Sequence, residues 1–330
     1  MSSRYAAAHV NLQGPGDARP TASQIIADEG VEGKFSDKTV LITGCSSGLG
    51  VETARVLFRT GATIYATARD VTKAQAALSD IADSPRVHFL HLDLSSLNSV
   101  RTCVEEFKSK SDKLNILIEN AGVMASPEGR TVDGFETHLG VNHVAHFLLF
   151  HLLQPVLAAS ATPSFQSRVV ILTSSGHRIA SVDFDNLNFE NGQYDAWKAY
   201  GQSKTANIWM ANELERRYGA QGIHGLSVHP GMIFTELGRH ISPEDTAAIA
   251  GTEVVRNVLK SLEQGAATTV WAAVSAEFEG KGGLFLNDCQ IAGPYDPSLG
   301  EYGPGYGTWA YDSEGEKRLW EKTLELLNLN

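Results

Sequence analysis

Cysteine is scarce in this chain of 330 residues, which has three, Cys45, Cys103 and Cys289, with no CxxC pair and no even count. A disulfide framework is therefore excluded, and reduced thiols in a cytoplasmic protein are expected. Positive charge is also short, since 27 lysines and arginines face 38 carboxylates, for a net charge of −11. Such a surface repels phosphate backbones and anionic lipids, so we expect neither a nucleic acid nor a membrane as a partner.

Long uninterrupted apolar runs are missing as well. The most apolar stretch, Leu139–Ala159, is broken by Asn142, three histidines and Pro155, so it predicts a buried helix rather than a membrane span. The first residues hold no continuous apolar segment, so a signal peptide is not expected. The composition, with 42% hydrophobic and 20% charged residues, is that of a globular protein.

The chain divides near residue 35. Residues 1–35 contain a turn-forming stretch, residues 13–20, which predicts an extension that lies on the surface or is disordered, with a short helix over Thr21–Glu29. The length alone suggests two domains at about 150 residues each. The patterns instead predict one domain over 36–330, with a substrate lid at about 236–262 and a C-terminal helix near Asp312–Leu327.

Short β-rich runs alternate with amphipathic stretches from residue 36 onward. The predicted strands are Thr39–Thr43, Thr63–Thr67, Val87–His91, Leu114–Ile118, Arg168–Thr173, Gly225–His229 and Leu284–Leu286. The predicted helices include Leu49–Arg59, Leu97–Lys108, His138–Leu157, Tyr200–Tyr218 and Gln264–Ala276. This alternation predicts an α/β fold, a Rossmann-type doubly wound parallel sheet of about seven strands with helices on both faces, in three layers.

A glycine-rich loop joins the first strand to the first of these helices. Glycines at this place let the backbone turn tightly and approach a pyrophosphate, which then meets the free N–H groups of the helix N-terminus. The sequence therefore predicts a dinucleotide site. Its phosphate-binding residues are expected to be Gly44, Ser46, Ser47, Gly48, Leu49 and Gly50.

The loop spacing, Thr-Gly-x-x-x-Gly-Leu-Gly from Thr43, resembles the short-chain dehydrogenase/reductase superfamily over about residues 36–290. Arg69 ends the second strand, where a basic residue suits the 2′-phosphate of NADP, so NADP is favoured although NAD stays possible. The resemblance implies that Asp93 contacts the edge of the adenine ring, with Leu94 beside it. An aspartate at this place can also cap the N-terminus of a helix, but Ser95 is better placed for that role.

Two further loops of the cofactor site follow from the resemblance. Glu119-Asn120-Ala121-Gly122 is similar to the family's Asn-Asn-Ala-Gly element, but Glu119 replaces the first asparagine and brings a carboxylate near the cofactor. After the sixth strand, the Pro-Gly turn lines the nicotinamide pocket. The residues implied there are Asn120, Ala121, Gly122, Pro230, Gly231, Ile233 and Thr235.

Tyr200 and Lys204 stand one helical turn apart on one face of a predicted helix. A cation about 4 Å from a phenol is worth roughly 4 kcal/mol, or about 3 pKa units, which would bring a tyrosine toward neutrality. The family resemblance makes these two residues catalytic and also places them against the cofactor. It also implies that Asn142 is the proton-relay residue. The catalytic serine that it implies is Ser175, the second of the pair Ser174-Ser175, and Ser174 is the alternative.

Several short stretches of the sequence are similar to the retinol-dehydrogenase-like branch of this superfamily. That branch also shares the 24-residue insertion Gly176–Ala199 between Ser175 and Tyr200. The resemblance implies hydride transfer between NADP and a small-molecule carbonyl or alcohol, in a homodimer or homotetramer. Two alternatives stay open: an epimerase or dehydratase without net redox, or a non-catalytic protein that senses NADP. His143, His146 and His151 lack companion ligands at metal spacing, so no metal is expected.

Overall fold

The computed structural model describes residues 4–329, so residues 1–3 of the predicted extension and Asn330 of the predicted domain lie outside the described residues. One sheet has the order β3-β2-β1-β4-β5-β6-β7-β8. Its strands are β1 Thr39–Thr43, β2 Thr63–Ala68, β3 Val87–His91, β4 Ile116–Glu119, β5 Ser167–Leu172, β6 Ile223–His229, β7 Leu284–Asn287 and β8 Gln290–Ile291. The predicted doubly wound α/β class is confirmed.

The strand count differs from the prediction by one. Strands β1 to β7 are parallel, whereas β8 runs antiparallel to β7. The connecting turn consists of Asp288 and Cys289, whose φ angles of 55° and 51° are those of a tight two-residue hairpin. Because β8 has only two residues, it carries no periodic pattern from which it could have been predicted.

Helices cover both faces of the sheet. They are α1 Ala22–Asp28, α2 Gly48–Phe58, α3 Val71–Ala77, α4 Leu97–Lys110, α5 Ala145–Ser160, α6 Ala196–Tyr218, α7 Pro243–Gly251, α8 Glu253–Val258, α9 Leu262–Gly265, α10 Ala267–Val274 and α11 Ser313–Leu326. One apolar cluster joins the sheet to α4, α5, α6 and α11, and a second joins the other face to α1, α2 and α10. These three layers leave the carboxyl ends of the strands free to form the site.

The most apolar helix lies in the core, as expected. By length and composition the stretch Leu139–Ser160 could cross a membrane, but 61% of its most apolar window is buried within the described fold. It begins with a π-helical turn, Leu139–Val144, and continues as α5. Its contacts with α4 and with strands β4 and β5 are those of a core helix.

The described part of the predicted extension, residues 4–35, is not disordered but is held against the fold. Arg19 is buried, and its guanidinium donates to the carbonyls of Val258 (2.8 Å), Leu259 (2.5 Å) and Gly14 (3.1 Å). Its Nε also pairs with Asp17 at 2.8 Å. The segment is ordered because this one cation satisfies carbonyls at the end of α8, which a turn-rich composition cannot reveal. The chain division at residue 35 stays a prediction.

We expect Arg19→Ala to lower the free energy of unfolding by about 2 kcal/mol or more, because buried carbonyls lose a charged donor. Urea unfolding followed by tryptophan fluorescence measures this change. Arg4→Ala is the matched control, since the Arg4 guanidinium also donates to a carbonyl, that of Asp28, but is largely exposed. Equal losses in the two variants would contradict the assignment of Arg19 as an internal anchor.

Candidate active site

The glycine loop has the backbone that a phosphate cradle requires. Gly44 and Gly48 have φ angles of 79° and 63°, a region that side chains other than glycine rarely adopt. The N–H groups of Gly44 and Cys45 both donate to Thr67 O on β2, at 3.0 and 2.9 Å. These bonds hold the loop against the neighbouring strand, and α2 then begins at Gly48.

Close contacts explain two of these glycines. A Cβ at Gly50 would lie 2.3 Å from Gly44 O, and a Cβ at Gly44 would lie 2.9 Å from Ala121 Cβ. The Ser47 side chain does not cap α2, so the N–H groups of the first turn face outward without a side-chain acceptor. Together with the half-exposed Ser46 and Leu49, this loop fits the pyrophosphate of a dinucleotide.

Arg69 is exposed at the end of β2, where the sequence predicted it. The adjacent carboxylate, Asp70, caps α3 by accepting from the N–H of Lys73 at 2.9 Å. The ammonium of Lys73 pairs with Glu236 at 2.7 Å, across the mouth of the crevice. Arg69 therefore stands beside the loop with its guanidinium in solvent, as a 2′-phosphate would require.

Asp93 organises the turn after β3. Its Oδ1 accepts from the N–H of Ser95 at 2.9 Å and from the Ser95 hydroxyl at 2.7 Å. The cap of α4 is Ser96 and not Ser95, because the helix begins at Leu97, as predicted, and its N-cap is therefore the residue directly before it. Leu94 is buried beneath the turn. Contact of either residue with adenine stays a prediction.

The loop after β4 is tied to the end of β1. Asn120 Nδ2 donates to Thr43 O at 2.8 Å, and the N–H of Ala121 donates to Thr43 Oγ1 at 2.9 Å. Glu119 does not line the cofactor crevice as expected, because it is fully buried within the sheet. Neither of its carboxylate oxygens has a hydrogen-bond partner. Burial therefore raises the pKa of Glu119 well above its ordinary value.

Asn142, Tyr200 and Lys204 converge beside Gly122 and Gly176. A Cβ at Gly122 would lie 3.0 Å from Asn142 Oδ1 and 3.6 Å from Lys204 Nζ, and a Cβ at Gly176 would lie 2.7 Å from Tyr200 Cε1. All three side chains are buried. The carboxyl ends of β4 and β5 therefore bring together an amide, a phenol and an amine that are distant in sequence.

The two serines after β5 have different neighbours. The side chain of Ser174 acts to lower the pKa of Tyr200, against the effect of burial. Ser174 Oγ also accepts from the N–H of Gly176 at 3.0 Å. Ser175 donates its backbone N–H to His229 Nδ1 at 3.3 Å. The 3₁₀ helix Ser175–Ile179 begins at the second serine, and which of the two is catalytic stays a prediction.

The expected lowering of the tyrosine pKa is absent from this arrangement. Burial raises the pKa of Tyr200 to about 12, and the hydrogen bond with Ser174 only partly opposes the rise. Burial also lowers the pKa of Lys204 to about 8. Lys204 Nζ lies 5.8 Å from the phenol ring centroid and donates to Leu172 O at 3.0 Å.

The π-helical turn directs the Asn142 side chain toward the loop after β4. Its Oδ1 accepts from the N–H of Val123 at 2.8 Å, and its Nδ2 donates to Val123 O at 3.0 Å and to Ser203 Oγ at 2.9 Å. Such turns recur at functional sites because they shift side chains out of the regular helical register. Asn142 is thus placed by backbone geometry as well as by sequence.

The Pro-Gly turn after β6 is held by Lys260, which follows α8. Lys260 Nζ donates to Pro230 O at 3.1 Å and to Asp288 Oδ1 at 2.6 Å. Gly231, with a φ of 100°, leaves no room for a side chain beside Lys260. Ile233 packs on α9, and Thr235 Oγ1 accepts from the N–H of Leu237. The roles of Lys260 and Asp288 could not be predicted from the sequence, because their contacts join distant segments.

The three histidines of the apolar helix do not form a metal centre. His146 Nε2 is hydrogen-bonded to Thr43 Oγ1 at 2.9 Å, and His143 Nε2 to Thr323 Oγ1 at 3.1 Å. Across residues 4–329 there is no group of three or more histidine, cysteine or acidic side chains that could hold a metal ion. His143 and His146 join core elements by hydrogen bonds, whereas His151 stacks on Phe147.

Comparison with known families agrees with this geometry. The family model described as short chain dehydrogenase matches residues 38–246. The chain belongs to the short-chain dehydrogenase/reductase superfamily. It is therefore an enzyme of this class, and its family implies a nicotinamide cofactor and a small-molecule substrate.

Relatives of this short-chain dehydrogenase/reductase cover nearly its whole length. It is 50% identical to the short-chain dehydrogenase/reductase prx1 of Penicillium roqueforti, over 99% of this chain and 96% of the relative. It is 37% identical to retinol dehydrogenase 12 of Mus musculus, over 88% and 87%. A crystal structure of an uncharacterized protein from Mycobacterium paratuberculosis matches with a TM-score of 0.69 and 33% identity, over 91% and 97%. The similarity to the retinol-dehydrogenase-like branch is thus confirmed.

We expect Glu119→Gln to stabilise the protein progressively as the pH rises. With a raised pKa, the folded state keeps a proton that the unfolded chain has lost, so wild-type stability falls with pH by about 1.4 kcal/mol per unit until the folded pKa is reached. The variant has no such proton. The free energy of unfolding of the variant, measured with urea, should therefore exceed that of wild type by an amount that grows from about pH 5 to about pH 8.

The exposed Glu105→Gln serves as the control, since its side chain lies in solvent on α4. A stability difference between Glu119→Gln and wild type that stays constant over this pH range would show that Glu119 does not carry a buried proton.

Proposed function

We propose that this short-chain dehydrogenase/reductase is an NADP-dependent oxidoreductase that interconverts a carbonyl compound, an aldehyde or ketone, and the corresponding alcohol. The observation that carries the proposal is the convergence of Asn142, Ser174, Tyr200 and Lys204 at the carboxyl ends of β4 and β5. The glycine loop follows the carboxyl end of β1, so it lies on the same side of the sheet as this cluster. Ligands of doubly wound sheets bind at the carboxyl ends of the strands.

Tyr200 is the group that handles the substrate proton. A phenol with a pKa of about 12 is protonated at neutral pH, so it can donate its proton to the oxygen of a carbonyl that is being reduced. The bound nicotinamide supplies the hydride for the carbonyl carbon. Alcohol oxidation, the reverse reaction, would need the phenolate as its base, so a higher pH would favour it.

Ser174 and Lys204 assist this transfer. The Ser174 hydroxyl, already directed at Tyr200, is placed to donate to the same carbonyl oxygen. Lys204, with a pKa of about 8, is a cation in most molecules at pH 7 and stabilises negative charge that develops nearby. Asn142 fixes the loop beside them through its two bonds to Val123.

The cofactor residues fit NADP on two observations. The cradle of Gly44 and Gly50 is too tight for any side chain, which suits a close approach by a pyrophosphate. The guanidinium of Arg69 is exposed at the end of β2, where a 2′-phosphate would be recognised. In a protein with a net charge of −11, Arg69 and the N-terminus of α2 supply the local positive field.

Exposed apolar side chains support an apolar carbonyl substrate. Trp197 is 42% exposed and its ring centroid lies 6.2 Å from that of Tyr200, while Ile179 and Phe234 are 53% and 52% exposed. Two further aromatic residues, Phe184 and Phe189, are structural, since Phe184 stacks on Trp209 and Phe189 is buried.

The three free, buried thiols suit a reducing compartment, so we propose a cytoplasmic location. We also propose that the protein is a homo-oligomer.

A panel of aldehydes and ketones with NADPH, followed by loss of NADPH absorbance, tests the activity. We expect Ser174→Ala and Tyr200→Phe each to lower kcat/KM at least about 100-fold, since each removes a proton donor to the carbonyl oxygen. Ser175→Ala should stay within about threefold of wild type, because its hydroxyl is not directed at Tyr200.

NADPH affinity, measured by tryptophan fluorescence, should be unchanged in all three variants. Full activity of Tyr200→Phe would overturn the mechanism. A loss confined to Ser175→Ala would instead restore the serine register that the family resemblance implied.

We expect Arg69→Ala to weaken NADPH binding about 10- to 100-fold and to leave NADH binding nearly unchanged, because it removes a charge-assisted hydrogen bond to the 2′-phosphate. Fluorescence titration with both cofactors measures the difference. Lys34→Ala, an exposed cation at the amino end of β1, controls for net charge. An equal loss for both cofactors would remove Arg69 from phosphate recognition.

A further inference from the structure

Outside the catalytic cluster, two buried polar side chains and one half-buried tyrosine form a group that neither the family motifs nor the proposed mechanism uses. Glu136 and His138 precede the π-helical turn, and their side chains are 1% and 0% exposed. Tyr194 comes from the insertion between Ser175 and Tyr200. Its hydroxyl lies 3.0 Å from Glu136 Oε1. The group therefore joins the insertion to the start of the helix that carries Asn142.

The hydrogen bonds determine the state of the imidazole. His138 Nε2 accepts from the backbone N–H of Ser126 at 3.1 Å, so this nitrogen carries no proton. The other ring nitrogen, Nδ1, then donates to Glu136 Oε1 at 2.8 Å. Glu136 also accepts from the N–H groups of His138 and Leu139, at 2.9 and 2.8 Å. The carboxylate is thus held by the start of the helix and in turn orients the histidine.

The group acts on the loop over residues 121–126. Asn142 holds this loop at Val123, while His138 and the Tyr194 hydroxyl reach Ser126, the latter lying 3.2 Å from Ser126 O. Between these two attachments Ala125 has a φ of 49°, a left-handed conformation that is costly for alanine. Such a conformation persists only where the surroundings impose it, so both attachments are needed to keep the loop in this shape.

The loop and the group both adjoin the catalytic residues. Gly122 lies against Asn142 and Lys204, as its Cβ distances show. The His138 ring meets the Tyr200 ring edge to face, with centroids 6.1 Å apart. A change at Ser126 is therefore transmitted to the wall of the catalytic cluster through five residues of backbone.

We propose that Glu136, His138 and Tyr194 form a loop anchor, which holds residues 121–126 against the catalytic cluster, so that these three are positioning residues for the reaction. In this arrangement the insertion Gly176–Ala199 positions the Tyr194 hydroxyl beside Ser126. The effect on turnover rests on the proposed function, whereas the effect on the loop does not.

The central experiment is Tyr194→Phe, which removes one hydroxyl and keeps the ring that packs on Phe189. Hydrogen exchange of the peptide covering residues 121–126, read by mass spectrometry, should speed up severalfold. With NADPH and the best carbonyl compound of the panel, kcat should fall about 10-fold, the loss expected from one buried hydrogen bond. The Kd for NADPH should stay within about twofold, which excludes a loss of folded sites.

Tyr5→Phe is the matched control, because the Tyr5 hydroxyl also donates to a carboxylate, Asp28 Oδ2 at 2.9 Å, in the N-terminal segment. It should change neither loop exchange nor kcat. His138→Phe, which removes both nitrogens of the anchor, should exceed Tyr194→Phe in its effect on exchange. The double variant should be little worse than His138→Phe alone, since both act through one anchor.

Three results would overturn the proposal: loop exchange unchanged in Tyr194→Phe, loop exchange faster with kcat unchanged, or independent effects that multiply in the double variant. Failure of the proposed function gives a different pattern. In that case wild type reduces no compound of the panel, while loop exchange and its coupling in the double variant still report on the anchor.

Discussion

The candidate site depends on the hydrogen bonds of Thr43, the last residue of β1. Its hydroxyl meets Ala121 N and His146 Nε2, and its carbonyl accepts from Asn120. One buried residue therefore connects the glycine loop, the loop after β4 and the helix of Asn142. Because the cradle at Gly44 and Gly50 is closed by Asn120 and Ala121 themselves, the width of the cofactor crevice is set by these bonds.

Electrostatics around the crevice are local rather than global. The protein is acidic overall, yet the end of β2 presents the exposed Arg69, and the nearby Lys73 is paired with Glu236. Deeper inside, burial makes Tyr200 a weaker acid and Lys204 a weaker base than usual. The site thus separates two tasks, with charge recognition at the rim and proton chemistry in a desolvated interior.

Much of this arrangement was predictable from sequence because it rests on local signals. The alternation of apolar runs predicted every parallel strand, and the spacing of the glycines predicted the tight turn after β1. The family resemblance implied Asn142, Tyr200 and Lys204, which the structure brings together. Three features were not predictable. Ser174 acts on the pKa of Tyr200, Glu119 turns into the sheet instead of the crevice, and burial raises the phenol pKa. Each depends on where a side chain points in three dimensions, which residue type and spacing do not encode.

The buried contact of Arg19 with the carbonyls at the end of α8 makes two distant parts of the chain one structural unit. Residues 14–19 and 257–264 share their hydrogen bonds, including that of Gln264 Nε2 with Asp17 Oδ1 at 3.0 Å. Residues 257–264, exchanged alone with those of a relative, would lose the buried cation that donates to their carbonyls. A chimera that keeps these hydrogen bonds must therefore exchange both segments.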